Sequence, residues 1–566
     1  TLLVNMETYM ELPIETQGDI IVTDSKRDIW DYWAMPEYPP RPSQRTALDI
    51  MANLSPEKKY VMCQIPVGGG KSPIAVSYAG FLGHGKLGSS YILTPQRILQ
   101  KQYEDSFEDN LTSVYGKANY MCHTKFGLNC DIGNDIKPKC ENCPAKAAFE
   151  SISTTPHTVL NYKLAMLYSE LFPGESEMFP VKDLMVFDEC HTLEGHLVDH
   201  RAVSISKYRC ESLHVVPYKP KTIKDAYEWL KSMYEPAVDK EYFMLHEMNR
   251  IIDEKYEFTS GSLLPSELKT KKDYKDIARH RVLVRSLTMK TLDAIQDYYV
   301  MVKEEHGFKL KEIYGADLFK RILEPKGDRF LFMSSTILNF EAYASDLGIP
   351  VEETEIISLD SEFDVENRPV YFMPTAKMTY GWNGIEKAKV DARGKMLSKI
   401  VELCEVHADD SGIIHTGSFQ IANWLEKELK GKVMHQIITH SQDGDVTRDE
   451  AIVMINENNG KVPMLLISPS MTEGLDLKDD RARFAIFAKV PYPFLGDAWV
   501  KRRLDMSDEW YQRQAMTAII QGGGRVVRSA EDWGNVYILD ESFNFLWYKF
   551  KKLTPNWWKE AFIKVK

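Results

Sequence analysis

Eight residues narrow the folding options of this 566-residue chain more than any other segment: Ile65-Pro66-Val67-Gly68-Gly69-Gly70-Lys71-Ser72. They follow a short apolar run, Tyr60–Ile65, that reads as a buried strand, and they open a helical pattern. Gly68, Gly69 and Gly70 let the backbone turn tightly enough for its N–H groups to converge on phosphate oxygens. Lys71 then reaches the β- and γ-phosphates, and the Ser72 hydroxyl is suited to ligating Mg²⁺. Ile65 stands where the strict pattern has glycine. An ordinary glycine-rich loop has a similar composition, but the strand before and the helix after favour a phosphate loop at the end of a parallel strand.

Seven further short apolar runs end in polar or glycine-rich turns and lead into helical patterns: Ser90–Leu93, Leu184–Phe187, Phe330–Met333, Gly412–Ile414, Met464–Ile467, Phe484–Phe487 and Val536–Leu539. Runs of this length read as strands buried on both faces of a parallel sheet. Four of the eight lie before residue 340 and four after residue 410, so the expected fold is α/β in two lobes. Two stretches break the rhythm. Residues 114–150 hold a cysteine cluster. Residues 205–320 are rich in Lys, Glu, Tyr and Met, with Leu292, Ile295, Tyr299 and Val302 at the spacing of one amphipathic helix face. Both read as insertions into the first lobe.

Two more elements carry chemistry. Val186-Phe187-Asp188-Glu189-Cys190-His191 ends a predicted strand; Asp188 is suited to holding Mg²⁺ through water, Glu189 to polarising an attacking water, and His191 to bonding across toward elements that sense the γ-phosphate. Gln521-Gly522-Gly523-Gly524-Arg525-Val526-Val527-Arg528 is expected to place Arg525 and Arg528 on one helix face. From there they stabilise charge that develops on a departing γ-phosphate.

With 70 basic and 82 acidic residues the net charge is −12. Net charge alone does not select nucleic acid as a partner, although one basic groove can sit on an acidic body. No apolar run approaches the ~18–20 residues that a membrane helix needs. Of eight cysteines, Cys122, Cys130, Cys140 and Cys143 fall within 22 residues. Such clustering, without a signal segment at the start, points to metal and away from disulfides. By count, four thiolates suit a [4Fe–4S] cluster or Zn²⁺ equally. Tyr115, Tyr120 and Phe126 interleave with Lys117 and Lys125 beside the cluster, as single-strand contact requires; a hydrophobic shell around the cluster explains them as well. Residues 489–513 carry Lys489, Lys501, Arg502, Arg503 and Arg513 among Tyr492, Phe494, Trp499 and Trp510, a second candidate for nucleic-acid contact. The aromatic, lysine-rich tail from Glu541 reads as a segment docked on the second lobe.

Taken in order, these elements resemble the motifs of XPD/DinG-type superfamily 2 DNA helicases. Pro40-Arg41-Pro42-Ser43-Gln44 resembles the adenine-reading Q motif, Gly68–Ser72 motif I, and Leu93-Thr94-Pro95-Gln96 motif Ia. Asp188–His191 resembles the DEAH box with Cys190 in place of Ala, and Ser334-Ser335-Thr336 resembles motif III. His415-Thr416-Gly417-Ser418 resembles motif IV, Thr472-Glu473-Gly474-Leu475-Asp476 motif V, and Gln521–Arg528 motif VI. The resemblance implies two RecA-like P-loop lobes with ATP and Mg²⁺ between them, an iron–sulfur insertion and a helical Arch insertion in the first lobe, and movement 5′ to 3′ on one strand. The implied division is 1–113 for the first part of lobe one, 114–150 for the iron–sulfur insertion, 151–204 for the DEAH portion, 205–320 for the Arch, 321–340 for the end of lobe one and 341–566 for lobe two.

Lys71, Asp188, Glu189, His191, Gln521, Arg525 and Arg528 are the implied catalytic set. Arg41, Gln44, Gly68, Gly69, Gly70, Lys71, Ser72, Gly474 and Asp476 are the implied nucleotide contacts, with Ser72 and Asp188 on Mg²⁺. Position in the chain favours [4Fe–4S] over Zn²⁺ for Cys122, Cys130, Cys140 and Cys143. The expected protein is an ATP-dependent DNA helicase, monomeric and cytoplasmic, at the nucleoid or in a nucleus, acting on single-stranded and forked DNA. The alternative is a non-unwinding subunit of a repair or transcription complex that uses ATP as a switch.

Overall fold

A computed structural model describes residues 27–565 apart from 84–88, 109, 125–126, 134–139, 257–262, 379–385, 441–445, 470–476 and 478. Two seven-stranded parallel sheets organise the chain. The first uses β1 (Tyr60–Gln64), β2 (Ser90–Thr94), β3 (Leu111–Ser113), β4 (His157–Asn161), β5 (Lys182–Asp188), β9 (Gly327–Ser334) and β10 (Thr354–Ser358), in the order β10-β1-β9-β5-β2-β4-β3. The second uses β11 (Val370–Ala376), β12 (Gly412–His415), β13 (Gln436–Thr439), β14 (Met464–Ser468), β15 (Phe484–Phe487), β16 (Asn535–Asp540) and β17 (Phe562–Lys564), in the order β13-β14-β12-β15-β16-β11-β17. All eight strands read from continuous apolar runs are present. Their central members are buried along their whole length, β1, β2 and β14 among them, because helices cover both faces of each sheet. These are the two RecA-like lobes.

The boundary expected at residue 340 moves. β10 pairs in parallel with β1, Tyr60 opposite Thr354 through Gln64 opposite Ser358. The first sheet therefore ends beyond residue 358, and the chain crosses to the second sheet between β10 and β11. β10 escaped the sequence reading because it is an edge strand with exposed alternate residues, not an unbroken apolar run.

Both rhythm-breaking stretches are swollen crossovers between strands that are sheet neighbours. Residues 114–156 connect β3 to β4, and residues 189–326 connect β5 to β9. The second crossover contains the long helices Glu235–Lys255 and Pro265–Thr288, packed as an antiparallel-connected pair, and a three-stranded antiparallel sheet. That sheet consists of β6 (Val203–Ser206), β7 (Tyr299–Glu304) and β8 (Gly307–Glu312), in the order β6-β8-β7. The single helix expected through Leu292, Ile295, Tyr299 and Val302 is thus corrected: the helix ends at Tyr298, and Tyr299 and Val302 belong to β7. A step of three or four residues fits a helix until β-branched and aromatic residues meet a hairpin partner, here Val302 opposite Lys309. The tail docks as expected, with Phe543, Leu546, Trp557 and Trp558 in the second lobe's core. Among the described residues, no helix is long and apolar enough to cross a membrane.

Candidate nucleotide site

β1, β9 and β5 are adjacent, so their carboxyl ends deliver the phosphate loop, Ser334 and Asp188 to one edge of the sheet. At the end of β1 the loop turns through Gly68, with φ of +74°, a conformation that favours glycine. A Cβ there would also stand 2.6 Å from the Arg528 carbonyl oxygen. Gly524 is equally constrained, since its Cβ would fall 2.5 Å from the Val67 side chain. The phosphate loop of one lobe and the glycine segment of the other thus touch nearly backbone to backbone.

Between them lies a cavity of about 400 Å³, walled by Gly68–Ser72, Asp188, Glu189 and His191 from the first lobe and by Arg525 and Arg528 from the second. Lys71 Nζ lies 2.9 Å from Glu189 Oε1. Glu189 holds a left-handed backbone, φ of +51°, a strained state for a residue with a side chain that is tolerated where surroundings enforce it. Its Oε2 is buried without a hydrogen bond, and His191 Nδ1 stands 3.4 Å away. Burial alone would raise the Glu189 carboxyl, but the charges of Lys71, His191 and Arg525 outweigh it and hold the group well below the usual range. Asp188 is pushed the other way by burial, beyond what Lys71 offsets. The Tyr103 hydroxyl donates to Asp188 Oδ2 at 3.2 Å and lies within bonding reach of Ser72. The Tyr162 hydroxyl holds the Asp188 carbonyl at 2.6 Å.

Ser334 joins the two lobes. Its Oγ lies 2.9 Å from His191 Nδ1, and Gln521 Nε2 donates to it at 3.5 Å. The Ser334 hydroxyl thus joins His191 of the first lobe to Gln521 of the second. Arg525 and Arg528 do not share a helix face. The helix Asp508–Gly523 ends just before them, because three consecutive glycines favour termination; Arg525 sits in the turn that follows and Arg528 in the irregular stretch beyond it. Those glycines serve close packing: a Cβ on Gly522 would meet Phe487 at 2.9 Å.

Arg41 and Gln44 reach the loop, not open space. Arg41 Nη1 donates to the Gly68 carbonyl at 2.6 Å, and Gln44 Nε2 to the Gly70 carbonyl at 3.3 Å. Gly69 lines the cavity with its neighbours. Gly474 and Asp476 lie outside the described residues. Sequence reading missed Tyr103 and Tyr162, for which no motif gives a signal.

The second candidate region for nucleic-acid contact is corrected. Arg503, Arg513, Trp499 and Trp510 are buried between the lobes, with Trp499 and Trp510 in a core shared with the first sheet. Lys501 and Arg502 remain exposed. Tyr115 donates its hydroxyl to Glu104 at 3.0 Å, and Tyr120 packs on the cysteines; Lys125 and Phe126 lie outside the described residues.

Cys122, Cys130, Cys140 and Cys143 are all buried, all unoxidised, and gathered in one cluster with Ala145. Burial raises the Cys130 thiol, and Cys143 and Cys122 are among the groups that act on it. Among the described residues, no group of three or more His, Cys, Asp or Glu is arranged as a metal site. Four clustered thiols are the donor chemistry that iron or zinc takes.

Two family models match, the helicase C-terminal domain over residues 400–561 and the type III restriction enzyme res subunit over residues 37–214. The chain is 22% identical over 472 residues to the ATP-dependent DNA helicase YoaA of Escherichia coli (strain K12), covering 73% of this chain and 68% of YoaA. It is 25% identical over 146 residues to the ATP-dependent DNA helicase CHL1 of Vanderwaltozyma polyspora, covering 22% of this chain and 18% of CHL1. Over 113 residues it is 34% identical to a regulator of telomere elongation helicase 1 homolog of Culex quinquefasciatus, covering 17% of this chain and 12% of that protein. The chain thus spans less than a fifth of the length of the last two. A solved XPD helicase structure aligns with a TM-score of 0.57 at 15% identity, over 93% of this chain and 99% of that one. The Xpd4 structure of S. tokodaii aligns at 0.53 and 14%, over 93% and 100%. In motif order, sequence matches to both lobes and two-sheet architecture, the chain is similar to XPD/DinG-type superfamily 2 helicases.

Proposed function

We propose that this chain is an ATP-dependent DNA helicase that moves 5′ to 3′ along a single strand and separates duplexes. The supporting observation is the cavity whose walls come from different lobes: Lys71, Glu189 and His191 on one side, Arg525 and Arg528 on the other. A nucleotide held there responds to lobe approach, and hydrolysis releases that constraint, so ATP turnover drives relative lobe movement. Lys71 binds the terminal phosphates, and Glu189, held ionised, orients the attacking water. Arg525 and Arg528 stabilise the charge that develops as the phosphate leaves. Ser72 and Asp188 would hold Mg²⁺, whose hard-oxygen preference their hydroxyl and carboxylate suit, and which neutralises phosphate charge when bound. Arg41 and Gln44 read the adenine by exchanging their present bonds to loop carbonyls, and Gly474 and Asp476 complete the nucleotide contacts.

The same reading assigns residues 114–150 as a cluster-bearing insertion and 205–320 as an Arch. Four buried thiols with few apolar residues around them support a resident [4Fe–4S] group, with Zn²⁺ as the competing occupant. The partners proposed are single-stranded and forked DNA, met by a monomer at the nucleoid or in a nucleus.

ATP hydrolysis with and without single-stranded DNA, beside strand displacement from duplexes with 5′ or 3′ tails, tests the reading. Strand-stimulated hydrolysis and unwinding from the 5′ tail are expected. Hydrolysis without strand separation would instead identify an ATP-switched, non-unwinding subunit.

A further inference from the structure

Away from the nucleotide cavity, four charged side chains meet between the lobes. Glu194 follows the Asp188–His191 turn by one helical turn, on the helix Leu193–His200. Asp346 lies on Phe340–Leu347, the helix after the Ser334-Ser335-Thr336 segment. Facing them are Arg503, on Ala498–Met506, and Arg513, on Asp508–Gly523, the helix that ends in the glycine–arginine segment. Arg503 Nη2 lies 3.0 Å from Glu194 and 2.8 Å from Asp346, and Arg513 pairs with the other Asp346 oxygen. A third carboxylate, Glu509, stands 3.6 Å from Arg513 Nε at the edge of the group. The Arg503 side chain is only 2% exposed; its guanidinium lies over Trp510 at 4.8 Å and Tyr314 at 4.7 Å. The Trp510 indole N–H donates to Glu194 at 3.3 Å.

The helix Asp508–Gly523 therefore touches the first lobe at two places. Near its start it is held by the charge quartet and by Trp510. At its end Gln521 meets Ser334, the same hydroxyl that meets His191. Arg513 and Gln521 are eight residues apart, about 12 Å along a helix axis. A small cavity of about 30 Å³, lined by His191, Glu194, Thr336, Asp346 and Arg513, separates the two contacts. Removing one member of a buried ion pair strands its partner without solvent, so the group is held together by the cost of parting it.

We infer that Glu194, Asp346, Arg503 and Arg513 form a fixed interlobe pivot that sets the reach of Arg525 and Arg528 toward the terminal phosphate. The four are positioning residues, since none lines the nucleotide cavity. This inference rests on the ATP-hydrolysis reading for its kinetic consequence, though not for its mechanical one.

Asp346→Asn, in the full chain, tests both. Its kcat for ATP is expected to fall at least tenfold with KM changed less than twofold. In an Arg525→Ala background the same substitution should add little, because a residue that acts by placing Arg525 has nothing left to place. Independently of turnover, the distance distribution between probes at exposed Met178 and Met434, attached by non-cysteine chemistry because eight cysteines are present, should broaden without nucleotide. If Asp346→Asn does not fold, Arg513→Lys, which keeps the charge but loses the planar fork facing Asp346, is measured instead, and the same outcomes are expected. Losses fully additive with Arg525→Ala, or an unchanged distance distribution, would overturn the pivot. A wild-type chain that hydrolyses no ATP yet broadens in the variant would overturn the hydrolysis reading alone.

Discussion

Around the nucleotide cleft, the phosphate loop, Ser334 and Asp188 each stand at the carboxyl end of a strand, and β1, β9 and β5 are neighbours in one sheet. In the cysteine crossover, the described residues of 114–150 form short helices and an isolated bridge, Met121 opposite Asn129, around four thiols and Ala145. The first arrangement is fixed by backbone pairing within the sheet. The second has, among its described residues, too little apolar surface to close a core of its own, so on the proposed reading its order depends on the group that the thiols hold. The two regions should therefore respond differently to removal of one residue: loss of chemistry in an intact fold at the cleft, loss of local order at the crossover.

The largest effect expected is from Lys71→Ala, which should lower ATP turnover by about a thousandfold or more, while circular dichroism and single-strand binding stay near wild type. Unfolding of the variant would show that the cleft, too, depends on its side chains for order. Arg525→Ala and Arg528→Ala should each reduce kcat by roughly 10²–10³-fold with a smaller change in nucleotide affinity, because their contribution grows as the phosphate departs. Lost ATP binding with normal turnover at saturation would show the role misassigned.

At the crossover, anaerobically purified protein should be brown and carry about four irons per chain. Cys140→Ser should bleach it and cut unwinding roughly tenfold further than hydrolysis, since oxygen is a poor substitute for thiolate on iron. Limited proteolysis should then nick residues 114–150 while the lobes resist. Colourless protein with one zinc per chain would replace the metal and keep the comparison; full unwinding by Cys140→Ser would break it.

Acid separates the regions again. Burial holds His157 down to about 4, and His280 and His415 down to about 3. The unfolded chain takes up these protons near pH 6.5 while the folded chain stays neutral. Stability is therefore complete above about pH 6.5 and lost as pH falls, by up to about 1.4 kcal/mol per unit for each histidine. None of the three lies in the cysteine crossover. Denaturant midpoints between pH 7 and 5 should fall less steeply in His415→Asn; an unchanged slope would remove His415 from the account. The smallest effect is expected from Tyr103→Phe. Losing one hydroxyl beside Asp188 and Ser72, worth about 1 kcal/mol, should raise the Mg²⁺ concentration for half-maximal hydrolysis about fivefold. No change would make that hydroxyl a packing feature only.

Central strands were legible because burial on both faces demands unbroken apolar runs, as in Leu184–Phe187 and Met464–Ile467. Edge strands such as β10 and β17 carry no such demand, and β10 shifted a lobe boundary. Motif residues were legible because phosphate chemistry fixes their spacing, and the cavity gathers Lys71, Asp188, Glu189, His191, Arg525 and Arg528 from both lobes. What sequence could not supply was long-range pairing. Arg503 and Arg513 looked like contacts for an anionic strand because their partners, Glu194 and Asp346, lie more than 150 residues away. The bond from Gln44, read as the adenine contact, to the Gly70 carbonyl was likewise not legible.

The order of strands in the first sheet has a consequence for synthesis. β1, which ends in the phosphate loop, pairs only with β9 and β10, and β9 begins more than 260 residues later in the chain. At about 5–20 residues per second, β1 leaves the ribosome roughly 13–50 s before either neighbour exists. Throughout that interval a strand with five buried residues has no edge to join, while both crossovers can already be folding. The nucleotide-binding half of this protein is begun early and finished late, and a chaperone that shields β1 during the wait would raise the yield of active chains more than one acting on the second lobe.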